Sequence, residues 1–295
     1  MRTALALGGA FFLLALNAGD APLIRAEAWT QSGADLAHTL THAPPECLRP
    51  ASDPPTRVRE EIGRALFRSP ALLGGPAARE GLSCEACHAN GRANAHFFLE
   101  ALTDRLGAAD VTSEWSSKVR GDGVMNPRAI PDLAGVDAKT SFGSNHVASL
   151  DAFVRSVIVE EFQGQPPPPS VLASLTAYLQ ALDPSACSTA GEVAITLEVQ
   201  RTDVLFAVAA LQYADTDTQG PLRLAARAEI ARIVERLPAD KFAAERAALA
   251  GLARELAHGG DGDWSARFEA VTNTLKRRED ETYYNEATLA RALPH

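Results

Sequence analysis

Aromatic side chains are scarce in this chain, 6% of 295 residues, and methionine occurs only twice. Four cysteines are far too few for a disulfide framework. Basic residues are outnumbered by acidic ones, 28 against 37, which leaves a formal net charge of -9. That balance argues against nucleic acid as a partner, because such a binder needs a basic face to displace counterions from phosphate. No apolar run approaches the roughly 20 residues of a membrane-spanning helix. What the chain does have is enough hydrophobic residue, 46% against 22% charged, to build a packed core.

The first residues read as an export signal. Arg2 supplies the positive start, Ala4 to Leu16 is apolar, and small residues follow. Residues 1–28 are the expected signal peptide, with cleavage after Ala18 or after Ala28. The expected mature protein has no membrane span and is periplasmic, where disulfides persist.

Residues 29–55 read as an irregular lead-in, since Pro44, Pro45, Pro50, Pro54 and Pro55 forbid a long helix. From Thr56, a candidate cap, Val58, Ile62, Leu66 and Phe67 recur at helical spacing. A short helical stretch then carries Cys84 and Cys87. Residues 89–148 are rich in Gly, Asn, Ser and Asp without a sustained period, as when a chain wraps a large ligand. Helical order returns at Ser149 and again at Ser170, where Leu172, Leu175, Leu179 and Leu182 form a stripe. Past Cys187 the chain is alanine-rich, and about four helices are expected over 192–213, 220–237, 240–258 and 263–291. Asp240 and Asp263 are candidate caps, and Trp264, Phe268, Tyr283 and Tyr284 candidate core. The expected fold class is mainly α, with one domain over 56–188 and a helical bundle over 191–295.

Cys84-Glu85-Ala86-Cys87-His88 carries the chemistry. Cysteines three apart on a helical turn share a face and can both reach the vinyl groups along one porphyrin edge. The next residue, His88, is then placed to bind the iron from the same side. The pattern is that of a covalent haem c attachment site, with one haem per chain. A C-x-x-C redox pair would need a βαβ context, and a zinc site a second ligand pair; neither is evident. Cys47 and Cys187 bracket this region, either as a disulfide closing a long loop or as two buried thiols.

Residues 56–183 resemble the cytochrome c fold, and more narrowly one haem domain of the bacterial dihaem cytochrome c peroxidases. The likeness rests on Gly63 to Pro70 ahead of the motif, on Arg128 to Leu133, and on Phe142 to Leu150 leading into a helix. It implies a first helix around Gly63 crossed by a last one around Leu175. Several positions depart from that family. There is one attachment motif where its members have two, the family's helix glutamine aligns with Phe153, and its methionine ligand aligns with Val157. Glu160 or Glu161 can stand in for its acid–base glutamate or lie on a solvated face.

The sixth iron ligand is open at this point. Met125, the one methionine besides the initiator, and His146 are the two candidates, while His96 reads as a surface or propionate partner. Arg64, Arg79, Arg92, Lys118, Arg120 and Arg128 are candidate propionate partners. Filled axial positions suit an electron-transfer protein with a periplasmic redox partner protein; an open one suits a peroxidase-type enzyme reducing hydrogen peroxide, and a haem-based redox sensor is a third reading. Trp115 and Tyr178 are the aromatics that a radical would use.

Overall fold

A glycine decides how the first two long helices meet. Helix α2, Pro54–Phe67, is capped by Asp53, whose carboxylate accepts from the Thr56 N–H at 2.8 Å; the cap is Asp53 rather than Thr56. Helix α6, Pro169–Ala181, crosses it. A Cβ on Gly63 would lie 1.9 Å from the Ser174 carbonyl oxygen, so only a bare Cα lets the backbones approach this closely. Ile62, Leu66, Leu175 and Leu179 are buried in the core at this crossing, and the Phe67 and Tyr178 rings lie 5.2 Å apart. Gly63→Ala is expected to cost at least about 1–3 kcal/mol through overpacking, seen as a lower urea midpoint at unchanged slope.

This computed structural model describes residues 22–33, 35–144, 146–187, 191–260 and 262–294. The chain is mainly helical, with eleven α-helices among the described residues. After α1, Leu36–Thr41, and α2 come two short helices, α3, Gly75–Glu80, and α4, Cys84–Cys87. The long segment before α5, Leu150–Ser156, holds the strands β2, Ala108–Ala109, and β3, Arg128–Ala129, paired antiparallel. A π-turn at Val157–Glu161 prolongs α5, and α6 follows. The C-terminal part contains α7, Leu197–Ala210, α8, Thr216–Glu235, α9, Ala243–Ala257, α10, Trp264–Lys276, and α11, Glu286–Ala292.

Three expectations change. The lead-in is not irregular throughout: it holds α1, and β1, His42–Ala43, pairs with β4, Val193–Ala194, beside the C-terminal part. Helix α8 starts before Gly220 and runs through Pro221, because Asp215 caps it and accepts from the Thr218 N–H at 2.8 Å. The stretch 263–291 breaks between α10 and α11, where the buried Thr282 hydroxyl donates to the Glu279 carbonyl at 2.5 Å. Of the candidate caps, Asp263 precedes α10 but its carboxylate accepts from Arg267 Nε at 2.8 Å rather than from a backbone N–H, and Asp240 lies outside α9. Trp264, Phe268 and Tyr284 are buried, the indole N–H donating to the Leu252 carbonyl at 3.0 Å.

The packing does not divide at 188–191. One apolar core runs from Leu66 and Leu175 through Val204 and Leu222 to Phe268. Cys47 and Cys187 are bonded, across a sequence separation of 140. Closing a loop of that length removes about 4–5 kcal/mol of chain entropy from the unfolded state. The export-signal expectation lies outside the described residues up to position 21. Cleavage after Ala28 would discard Ile24, which is buried with Ala37, Leu40, Leu289 and Leu293; cleavage after Ala18 leaves every described residue in place.

Candidate functional site: a thiol- and imidazole-lined cavity

Cys84, Cys87 and His88 share one cavity of about 460 Å³. That volume lies within the roughly 300–1,000 Å³ usual for ligand pockets. The two thiols belong to α4 and neither is in a disulfide. Helical spacing of three puts them on one face, and the chain leaves the helix at His88, where φ is -120° and ψ is 67°.

The His88 ring is held by a backbone group. Its Nδ1 lies 3.0 Å from the Pro131 carbonyl oxygen. A carbonyl can only accept, so the proton sits on Nδ1 and the Nε2 lone pair is left for a ligand. Burial pushes the imidazole down to about 4, partly opposed by the Pro131 bond, so the ring is neutral over the physiological range. Burial pushes both thiols up to about 12. A neutral imidazole aimed by a carbonyl, with two free thiols on the same wall, is the donor set that haem c requires, and the apolar lining suits a porphyrin face.

A second wall comes from α5, the π-turn and the loop before them. Phe142, Phe153, Val154, Val157 and Ile158 line it. Phe142 and Phe153 stack at 6.0 Å. Ser149 caps α5 through the Ala152 N–H at 3.4 Å and so places Phe153 and Val157 one turn apart. Polar groups gather along the rest of the lining: Asp110, Thr112, Arg120, Arg128 and Glu161. Arg120 is committed to Glu160 and Glu161 at 2.8 and 2.6 Å. Burial raises the Glu161 carboxyl above its ordinary range, and Arg120 opposes the rise. Arg128 is exposed and has no ion pair among the described residues, which makes it the available partner for a propionate.

Met125 and His146 are not brought to this cavity. Met125 is 50% exposed, and His146 is exposed with φ 53°. Neither lines the cavity, although their neighbours Asn126 and Val147 do. His96 sits 3.5 Å from Glu192, also off the lining. Among the candidate propionate partners, Arg64 is drawn into a buried ion cluster, Arg92 pairs with Asp132 at 2.6 Å and touches both disulfide sulfurs, and Arg79 and Lys118 are exposed. Tyr178 donates its hydroxyl to Glu46 at 2.8 Å and lies off the lining. Trp115 packs beside the cluster around Phe97 and Leu102.

The Pro131 carbonyl was not legible as a partner of His88, because a backbone acceptor 43 residues away leaves no residue-type signal. No family model, curated protein or solved structure matches the chain.

Proposed function

We propose that the chain is an exported monohaem c-type cytochrome that transfers electrons with a periplasmic redox partner protein. One observation carries the reading: Cys84, Cys87 and His88 open onto the same apolar cavity, with the imidazole aimed by Pro131. Cys84 and Cys87 would anchor the group by two thioethers, His88 Nε2 would bind the iron, and Arg128 would meet a propionate. When bound, the haem supplies a one-electron couple; the surrounding chain excludes water from it and fixes its orientation. The cytochrome c fold stays part of this proposal and rests on the motif and on the crossing of α2 with α6.

A second reading, reduction of hydrogen peroxide, is favoured by a different observation. Apart from His88, the lining includes no histidine or methionine among the described residues, and it includes a buried carboxyl with a raised pKa, Glu161. An accessible metal position beside an acid–base group is what such chemistry needs.

Purified from a host that matures cytochromes, the protein is expected to hold one haem per chain that resists acidified organic solvent. Met125→Ala and His146→Ala are expected to leave its visible spectrum unchanged, because neither side chain lines the cavity. A shifted spectrum in either variant would place that residue on the iron. Steady-state peroxide turnover that falls about 10²-fold in Glu161→Gln would establish the enzyme reading; absence of turnover with reversible one-electron reduction supports the carrier.

A further inference from the structure

Four segments remote in sequence converge away from the cavity lining, around His38. His38 in α1 and His42 at its C-cap are four residues apart and share a face, their rings stacked at 4.0 Å. Glu286, in the first turn of α11, brings one carboxylate oxygen 3.1 Å from His38 Nδ1 and 3.8 Å from His42 Nδ1. One donor atom from each of the three residues lies within 4.8 Å of the others. Ligand atoms about 2.0–2.1 Å from a tetrahedral metal are separated by roughly 3.3 Å, which the two distances to the Glu286 oxygen bracket; because the stacked rings set their in-plane lone pairs side by side, binding one ion requires an imidazole to turn towards that oxygen.

The other side of His38 strengthens the case. Its Nε2 lies 3.2 Å from a Glu192 carboxylate oxygen, and the second Glu192 oxygen is 3.5 Å from His96 Nε2. A carboxylate behind the outer nitrogen orients an imidazole that binds metal through the inner one. Two imidazoles and a carboxylate form a borderline donor set that suits zinc, and three protein ligands leave a fourth position for water.

We propose that His38, His42 and Glu286 form a zinc site, with Glu192 as the positioning residue for His38. The ion would clamp α1 to α11 over the apolar contact of Ala37 and Leu40 with Leu289 and Leu293. His42 Nδ1 also lies 3.2 Å from the His38 carbonyl and 3.1 Å from the Thr41 hydroxyl, and the Glu286 carboxylate accepts from His38 Nδ1, so the ion would replace these hydrogen bonds. The site is independent of the haem reading.

The test is calorimetric titration of Zn²⁺ into the full-length, EDTA-treated, untagged protein. One equivalent is expected to bind through this cluster, and Glu286→Gln and His42→Gln each to weaken it at least tenfold. Glu192→Gln is expected to weaken it about tenfold with the stoichiometry unchanged. The melting temperature of the parent protein should rise on adding zinc, and that of Glu286→Gln should not. Binding that is absent in the parent, or undiminished in Glu286→Gln and His42→Gln, overturns the site; the second outcome also covers capture of the metal by Cys84 and Cys87.

Discussion

If the chain carries the proposed haem, replacing Cys84 and Cys87 together by serine is expected to abolish covalent attachment altogether, so that the protein runs without pigment on a denaturing gel. The hydroxyl of serine fits the space of a thiol but does not make the thioether bond. Each single replacement leaves one sulfur on the wall of the cavity, so Cys84→Ser and Cys87→Ser should each retain some bound pigment at reduced yield. Their alkaline pyridine spectra should shift from that of the parent, because one vinyl group remains unmodified. His88→Ala is expected to behave differently. Both sulfurs remain, so covalent pigment persists, while the iron loses its imidazole and the visible bands move. This separation between anchoring and ligation discriminates the haem reading from a redox or zinc role for the same cysteines. In those roles the double serine variant and the parent would be equally colourless, and that result would sink the proposal.

The motif was legible because its physics is local: i, i+3 spacing and the adjoining histidine lie within five residues. Helices α2 and α6 were also legible, since their apolar stripes repeat at helical spacing; their crossing was implied only by the likeness to the cytochrome c fold. What lies between them was legible only as an absence of period, and parts of that stretch, Val111, Ile130, Phe142 and Val147 among them, do line the cavity from strands of two residues and turns. The Asp53 and Asp215 caps were missed because a proline near each helix start reads as a break in sequence. The docking of α1 against α11 depends on contacts some 250 residues apart, which no window of sequence contains. His38 and His42 carried no assignment for the same reason: their carboxylate partners come from 192 and 286.

The least legible feature is also the one with the largest expected effect on stability. Glu46, Arg64, Arg68 and Asp203 form a buried ion cluster that joins the lead-in and α2 to α7. Arg68 is 5% exposed and donates to Asp203 at 2.6 Å, to Asn90 at 2.8 Å and to Glu46 at 3.3 Å. Arg64 donates to Glu46 at 2.8 Å and also bonds Asp203. The cluster reaches α4, since Arg68 Nε lies 3.6 Å from Glu85, the residue between Cys84 and Ala86. Asp203→Ala would leave the two guanidiniums, out of water, with Glu46 as their one hydrogen-bonded carboxylate and with Glu61 and Glu85 only at 3.9 and 3.6 Å. Removing one member of a buried ionic group costs about 3–5 kcal/mol, because the remaining charges keep their desolvation penalty. We expect a loss of that size in urea denaturation, with a smaller loss for Asp203→Asn, which keeps the shape and one acceptor. The pH dependence follows from Glu46. Burial pushes its carboxyl up, but Arg68 and Arg64 outweigh burial and hold it at about 2, below the ordinary 4.5. A carboxyl depressed on folding contributes stability that is complete above 4.5 and lost as pH falls towards 2. The parent protein should therefore weaken steeply over that window, and Glu46→Gln should start lower at neutral pH and show a flatter acid limb. Equal acid limbs in the two proteins would show that the cluster does not hold these helices together through charge.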